Sequence, residues 1–433
     1  MAKSIAKSIR HSSIAGRTDV KISPRDLRQR VLPILASQAV GLACGLLGVR
    51  LTSRWVLPAD YGLYGVFLTL TPLGMTVVFG GLIKFASREW PVTADRGGVL
   101  RTVFGAAVRK FPWLVLATVV AAFAMPTSQP VLLAAALLVS ASLLFVVQLT
   151  QTLLQSAREH WEDFVLSALG SATRALAPPL LYVVTAAGLG ALLGGFTLHA
   201  FLTAFVASFL LRRWWRQPAH APGASTLGPT YGGSMFMLLA AVGWVQAGWH
   251  RWIVAWFLGA ETSGQFVLAS NLGALLPSML GVMLLQFFQP GWFTATVATN
   301  EDRRQLMARV DRVALLLTVA GLALSAALHF AMPLLIGTLI GNAYAPAAGY
   351  VFGTGCLATA MATGVLYHVL LLAARRERAG GVVDLSGALC FGIGGLVAVA
   401  AGGTWLNAWL WASPVVPWIA NRTMARRSVL AGA

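Results

Sequence analysis

Residues 31–55 read Val31-Leu-Pro-Ile-Leu-Ala-Ser-Gln-Ala-Val-Gly-Leu-Ala-Cys-Gly-Leu-Leu-Gly-Val-Arg-Leu-Thr-Ser-Arg-Trp55. A helix needs about 20 apolar residues to cross a bilayer, and this run is long enough. Arg25, Arg28 and Arg30 stand before it. A short loop whose only acid is Asp60 follows, then a second apolar run at 61–83, then Lys84 and Arg88. Lys and Arg are retained on the cytoplasmic side of a membrane, so the order basic, apolar, neutral, apolar, basic describes a hairpin that leaves and returns.

The same alternation continues along the chain. Further apolar spans are expected near 108–126, 130–156, 163–187, 189–211, 232–257, 262–290, 313–335, 346–373, 382–402 and 404–422. His250-Arg251 and the Gly-rich run at 336–341 interrupt the hydrophobicity, and spans 7–8 and 9–10 are the hardest to separate. Basic clusters follow every second span: Arg96, Arg101, Arg109 and Lys110; Arg212, Arg213 and Arg216; Arg303, Arg304, Arg309 and Arg312; Arg375, Arg376 and Arg378; Arg422, Arg426 and Arg427. The opposite loops carry little beyond Arg54, Asp60 and Glu261. The expectation is an all-α polytopic protein of about 12 transmembrane helices with both termini cytoplasmic. A chain that is 57% hydrophobic and 11% charged, with mean hydropathy +0.73, carries more apolar surface than a soluble core of this size hides. The net charge of +18 is mostly topogenic. It is dispersed among loops rather than gathered on one face, which argues against a nucleic-acid partner.

The first 30 residues are polar and basic with no short apolar run before a small-residue cleavage site, so span 1 is expected to act as an uncleaved signal anchor. Cys44, Cys356 and Cys390 are far apart, have no metal or redox spacing and read as small interior residues. The chain contains no Walker A loop, G-X-S-X-G elbow or paired His-Glu metal motif, and no soluble loop large enough for a nucleotide site; no enzyme, cofactor or metal is expected.

Pro218, Pro222, Gly223, Gly228 and Pro229 mark a linker. The expected organisation is a basic tail at 1–30, a six-helix bundle at 31–215, a linker at 216–230, a second six-helix bundle at 231–424 and a tail at 425–433. The halves resemble each other. Arg50, Trp55, Leu57 and Asp60 are matched by Arg251, Trp256, Leu258 and Glu261, each pair 201 positions apart, and Leu153-Leu154 with Arg158-Glu159 by Leu371-Leu372 with Arg376-Glu377. An even number of spans separates the copies, which makes them parallel repeats about a pseudo-two-fold axis along the membrane normal.

The stretch from Arg50 to Tyr64, ending Pro58-Ala-Asp-Tyr-Gly-Leu-Tyr64, resembles the opening signature of bacterial O-antigen and exopolysaccharide flippases, the polysaccharide-transport branch of the multidrug, oligosaccharidyl-lipid and polysaccharide exporter superfamily. Leu258-Gly-Ala-Glu-Thr-Ser-Gly264 is similar to the matching loop of their second half, and 371–378 to their basic exit from span 10. The chain departs from the pattern at Ser263-Gly-Gln-Phe266, where the expected aromatic is displaced. The resemblance implies a flippase of the bacterial inner membrane that moves a polyprenyl-diphosphate-linked oligosaccharide outward for surface polysaccharide synthesis, alongside polymerase or export proteins. The alternative is a proton- or sodium-coupled exporter of small molecules or drugs on the same fold. A membrane-embedded glycosyl- or acyltransferase is a third class, and the sequence offers neither the carboxylate constellation nor the large outer loop such chemistry uses.

Ionisable residues within spans are costly to bury and so form the short list for function. Arg174, Arg50 and Arg251 are the expected lining of a cationic cavity, and guanidinium suits a diphosphate because it stays charged and offers a planar fork of donors. Arg174 lies deepest, roughly 16 Å into span 5 and beside a break at Pro178-Pro179. Arg50 and Arg251 lie nearer the outer interface, within reach of snorkelling. His199, His329 and His368 are candidate proton-coupling groups, since histidine titrates near neutral pH. Pro72 and Pro277, at equivalent points of the two halves, are candidate hinges. The loop charges also make a topological prediction: reporters fused after Arg216 and Arg378 will report cytoplasm, and those near Asp60, Glu261 and Gly341 the outside. An outward signal at Arg216 would refute the division into six and six.

Overall fold

The computed structural model describes residues 32–90, 95–125, 127–216, 244–245, 248–295, 300–373, 377–412 and 415–430. Apart from a single bridge between Ile336 and Ile340, their regular structure is helical. The first half comprises α1 (Leu32–Trp55), α2 (Pro58–Glu89), α3 (Arg96–Phe123), α4 (Pro130–Ser156), α5 (His160–Thr185) and α6 (Leu189–Trp215). The second comprises α7 (248–257), α8 (Gly259–Ala295), α9 (Asn300–Leu335), a 3-10 turn (Asn342–Ala347), α10 (Ala348–Ala373), α11 (Glu377–Ala400), α12 (Gly403–Ala412) and α13 (Val415–Leu430). Among the described residues nine helices are long and apolar enough to cross a membrane. The N-terminal tail, the linker after Arg216, most of the seventh span, and Arg375 and Arg376 lie outside the described residues.

The twelfth span is described in two stretches, α12 and α13, and Ser413 and Pro414 lie outside the described residues. One expectation about boundaries is corrected. The basic residues expected in loops before spans 3 and 9 lie instead on helical extensions. α3 begins at Arg96 and α9 at Asn300, so Arg101, Arg109, Arg304 and Arg309 stand on turns that precede the apolar section. The Asp95 side chain caps α3 by accepting from the Gly98 N–H at 2.8 Å, satisfying one of the free amides of the first turn. The expected break at Pro178-Pro179 does not interrupt α5, which runs through both prolines. Gly195 of α6 lies against the α5 backbone at Ala177 and Pro178, leaving no space there for a side chain.

Packing repeats between the halves. α2 lies against α3 and α4, and α4 against α6; α8 lies in the same way against α9 and α10, and α10 against α13. α1 packs on α5 and α5 on α6. Surfaces left over are apolar and outward facing: Phe201, Phe205 and Phe209 make an exposed stripe at four-residue spacing on α6, and Trp113, Leu116, Val120 and Phe123 another on α3. Such faces suit lipid rather than water.

One apolar core joins the halves, and it sits at one end of the molecule. It gathers Val49, Tyr61, Phe67, Leu192, Val267, Leu272, Ile340 and Tyr344 from the end of α1, the starts of α2, α6 and α8, and the α9–α10 connection. At the other end each half has its own core, Leu82, Leu100, Phe145, Leu153 and Trp214 in the first and Val310, Leu317, Leu366 and Leu370 in the second. The joined end is drawn tight by glycine. Gly62 of α2 rests on the carbonyl of Ala260, and Gly264 of α8 rests on the carbonyl of Pro58. Each glycine thus covers the carbonyl four residues before the other, a reciprocal contact of local two-fold character. Polar tethers reinforce it: Arg54 donates to the Thr338 carbonyl at 2.8 Å, the Gly341 N–H to Ser53 Oγ at 3.3 Å, and Tyr344 OH to the Val56 carbonyl at 3.0 Å.

A methyl group at Gly62 would have to displace backbone rather than a mobile side chain, and overpacking of this kind costs about 1–3 kcal/mol. Gly62→Ala is expected to lower the thermal unfolding midpoint of the detergent-solubilised protein. Gly105→Ala, on α3 with open space beside it, is expected to leave the midpoint within about a degree or raise it, because alanine favours helix.

Candidate functional site

Beneath the joined end lies a cavity of about 280 Å³. Its walls follow from helix periodicity. Gly41, Gly45, Gly48 and Thr52 form one stripe of α1, where small side chains leave room; Tyr61 and Tyr64 come from α2, Ser171 and Arg174 from α5, and Asn271 and Leu275 from α8. The cavity is therefore walled mainly by the first half and closed by one helix of the second. No Asp or Glu is among the residues that line it.

Arg174 is the cation of this cavity. It sits near the middle of α5, accessible on the cavity side, with no carboxylate partner among the described residues. Arg251 approaches from α7. One of its terminal nitrogens donates to Asn271 Oδ1 at 2.9 Å, and Asn271 Nδ2 donates to Tyr61 OH at 2.8 Å. This chain of side chains runs from α7 through α8 to α2 and crosses between the halves. Arg251, bonded to Asn271, which lines the cavity, adds a second positive charge beside that of Arg174. A low-dielectric setting strengthens their field, and an anion is the ligand that relieves it.

The third arginine is placed elsewhere. Arg50 is two residues on from Gly48, about 200° around α1 from the cavity stripe, and its side chain is exposed outside the lining. Snorkelling toward the interface accounts for that position. The structure thus brings Arg174 and Arg251 together with Tyr61 and Asn271, and leaves Arg50 apart.

The three histidines do not converge. His199 is buried on α6, where its Nδ1 and the Thr173 hydroxyl are 2.7 Å apart, one residue from Arg174 on the neighbouring helix. His329 lies on α9 against Phe330 and Phe352, and His368 near the far end of α10. No group of three or more His, Cys, Asp or Glu that could hold a metal occurs among the described residues. Pro72 and Pro277 lie inside helices that continue through them.

Acidic residues lie mostly at the helix ends. Asp60 accepts from Tyr182 OH at 2.8 Å, tying the start of α2 to α5. Glu159 and Glu162 pair with Arg213 between α5 and α6. Asp311 accepts from Tyr367 at 2.8 Å and from Arg422 Nε at 3.1 Å, binding α9, α10 and α13. These pairs brace the lobes and do not face the cavity.

Sequence reasoning confined to ionisable groups passed over Asn271 and Tyr61. An amide within an apolar span and a tyrosine inside the Asp60-Tyr-Gly motif are signals of the same kind, because an uncharged polar group in lipid also needs a partner.

No family model matches the chain, and no curated protein matches it in sequence. Solved structures do match in fold. The lipid II flippase MurJ in an inward closed conformation is 12% identical, with a TM-score of 0.66 over 92% of this chain and 87% of that one. An inward-facing multidrug resistance transporter of the MATE family in the MOP superfamily is 12% identical, with a TM-score of 0.60 over 92% and 98%. The MATE multidrug transporter DinF-BH is 15% identical, with a TM-score of 0.59 over 96% and 99%. Similarity of this kind defines architecture: the chain is built on the two-bundle, twelve-helix plan of these transporters. The bridge between the halves gives a test of the site's construction. Tyr61→Phe leaves the half-buried Asn271 amide without its acceptor, at a cost of up to about 1–3 kcal/mol, and should lower the thermal midpoint. An unchanged midpoint would show that the pair contributes nothing net.

Proposed function

We propose that this protein is a flippase for a polyprenyl-diphosphate-linked oligosaccharide, acting in the bacterial inner membrane during synthesis of a surface polysaccharide. The observation that carries the reading is the acid-free cationic cavity, with Arg174 free to take a ligand and Arg251 held beside it. Guanidinium groups bind phosphate oxygens through two parallel hydrogen bonds, and a diphosphate at Arg174 would lie near the second positive charge of Arg251, bonded to the Asn271 of the cavity wall. The structural likeness to a lipid II flippase supports the same class of substrate.

The halves meet at the end that bears Asp60 and Glu261 and have separate cores at the basic end. With the topology expected from the loop charges, this is a state closed outward and divided inward, suited to receive a headgroup from the cytoplasmic leaflet. The polyprenyl chain would stay in lipid along the exposed apolar faces while the diphosphate and sugars use the cleft. Reversal would open the Gly62 and Gly264 crossing and close the inner side.

The second reading is an exporter of small molecules or drugs, which the likeness to the MATE structures favours. Coupling to a proton or sodium ion commonly employs embedded carboxylates, and the residues lining the cavity include none. The two readings separate in a deletion strain. Loss of surface polysaccharide with accumulation of the lipid-linked intermediate is the expected result; unchanged polysaccharide with increased drug sensitivity would favour the exporter. Arg174→Ala is expected to abolish glycan export while leaving protein in the membrane, and Arg174→Lys to restore it in part, because a point charge keeps the attraction and loses the fork. Full export by the Ala variant would remove Arg174 from the mechanism.

A further inference from the structure

A second cavity, of about 390 Å³, lies wholly within the second half between α7, α8 and α10. Its ends differ in character. At one end are His250, Arg251, Ser270 and Thr354, of which His250, Ser270 and Thr354 are each no more than 4% exposed. At the other are Val282 and Val365, 42% and 43% exposed. Twelve residues of α8 separate Ser270 from Val282, so the polar and apolar ends are roughly 18 Å apart.

The polar end has unpaired nitrogens. Arg251 is anchored to Asn271 through one terminal nitrogen, yet its Nε is buried with no hydrogen-bond partner among the described residues, and the same is true of His250 Nδ1. Stranding such groups is costly unless a ligand satisfies them. The hydroxyls beside them do not pair with them, and their own protons are already committed: Ser270 donates to the Phe266 carbonyl at 2.8 Å, and Thr354 to backbone carbonyls at 3.0 Å. No carboxylate lines the cavity. What fits is a group that accepts hydrogen bonds, carries negative charge and is joined to an apolar body reaching the exposed valines.

We infer that this cavity binds the phosphate head of a lipid, with Arg251 Nε and His250 as the head-group donors and the chain leaving past Val282 and Val365. The inference stands on this cavity alone and does not require the transport reading above. A resident membrane phospholipid and a lipid-linked glycan share the chemistry of a phosphate on an apolar chain, and the site is defined by that chemistry.

The test is the thermal unfolding midpoint of the purified full-length protein in a nonionic detergent, titrated with dioctanoyl phosphatidic acid, inorganic phosphate or dioctanoylglycerol. Phosphatidic acid is expected to raise the midpoint at concentrations at least tenfold below those at which either fragment acts. His250→Leu should weaken the response at least tenfold. Ser278→Trp, at an exposed position on the cavity wall where folding is least at risk, should do the same by blocking entry. Gly105→Ala, outside both cavities, should leave the response unchanged, and export is scored separately in cells, so a failure of the export reading and a failure of this one are distinguishable. A response to inorganic phosphate alone equal to that of phosphatidic acid, an equal response to dioctanoylglycerol, or wild-type binding by both His250→Leu and Ser278→Trp would overturn the inference. If phosphatidic acid binds as expected, a polyprenyl phosphate of similar chain length identifies the source: tighter binding assigns the site to the glycan carrier, and weaker binding to the surrounding bilayer.

Discussion

The structure depends on the approach of two helix backbones at Gly62 and Gly264. A side chain at either position would meet a carbonyl of the other helix, so the distance between α2 and α8 is set by the absence of atoms. In lipid, where apolar side chains gain little by leaving the solvent for one another, close backbone approach and the dispersion contacts it permits are a main source of helix association. The shared core of Tyr61, Phe67, Val267 and Leu272 forms around this crossing. The cavity below it is walled by α1, α2, α5 and α8.

Polar groups then specify what dispersion has brought together. Three tethers from the last turn of α1 and the residue after it reach the α9–α10 connection, and the bridge of Arg251, Asn271 and Tyr61 links α7, α8 and α2. A typical hydrogen bond contributes about 1 kcal/mol net, so these contacts together hold the halves by only a few kcal/mol. That is the range in which a ligand with differential affinity can shift a two-state equilibrium. A joint made of many apolar contacts at both ends would be too stable to exchange.

The residues differ in how much they reveal before the fold is known. Hydropathy and the Lys/Arg alternation made the helices legible, because lipid forces the backbone to satisfy itself within each segment. The internal match at Asp60 and Glu261 was legible too, although the reason for the glycines in it was not: a close approach between segments 202 positions apart leaves no trace in local periodicity. Arg174 could be picked out by depth. Arg50 could not be separated from Arg251, since both lie at similar depth in matching spans and only the rotation of each helix distinguishes cavity from lipid. The helical extensions of α3 and α9 were misplaced as loops because their charges mask their helix propensity in a hydropathy reading, and the proline pair lies inside α5, which continues through it.

The longest helices have a consequence for how a ligand arrives. α8 has 37 residues and α9 has 36, about 55 Å each at 1.5 Å per residue, against a hydrocarbon thickness of about 30 Å. At a tilt of about 20° each helix still spans about 52 Å, more than the roughly 40–45 Å of a bilayer with its headgroups. Arg304, Arg309 and Arg312 ride on the projecting part of α9, with Arg426 and Arg427 at the end of α13 nearby in the same bundle. Their fields reach about 8 Å at physiological ionic strength before screening dominates. Together they form a positively charged cluster that attracts anions within that range. Diffusional capture by this protein should accordingly slow as salt is added, a kinetic signature set by helix length and separate from affinity at the arginines within.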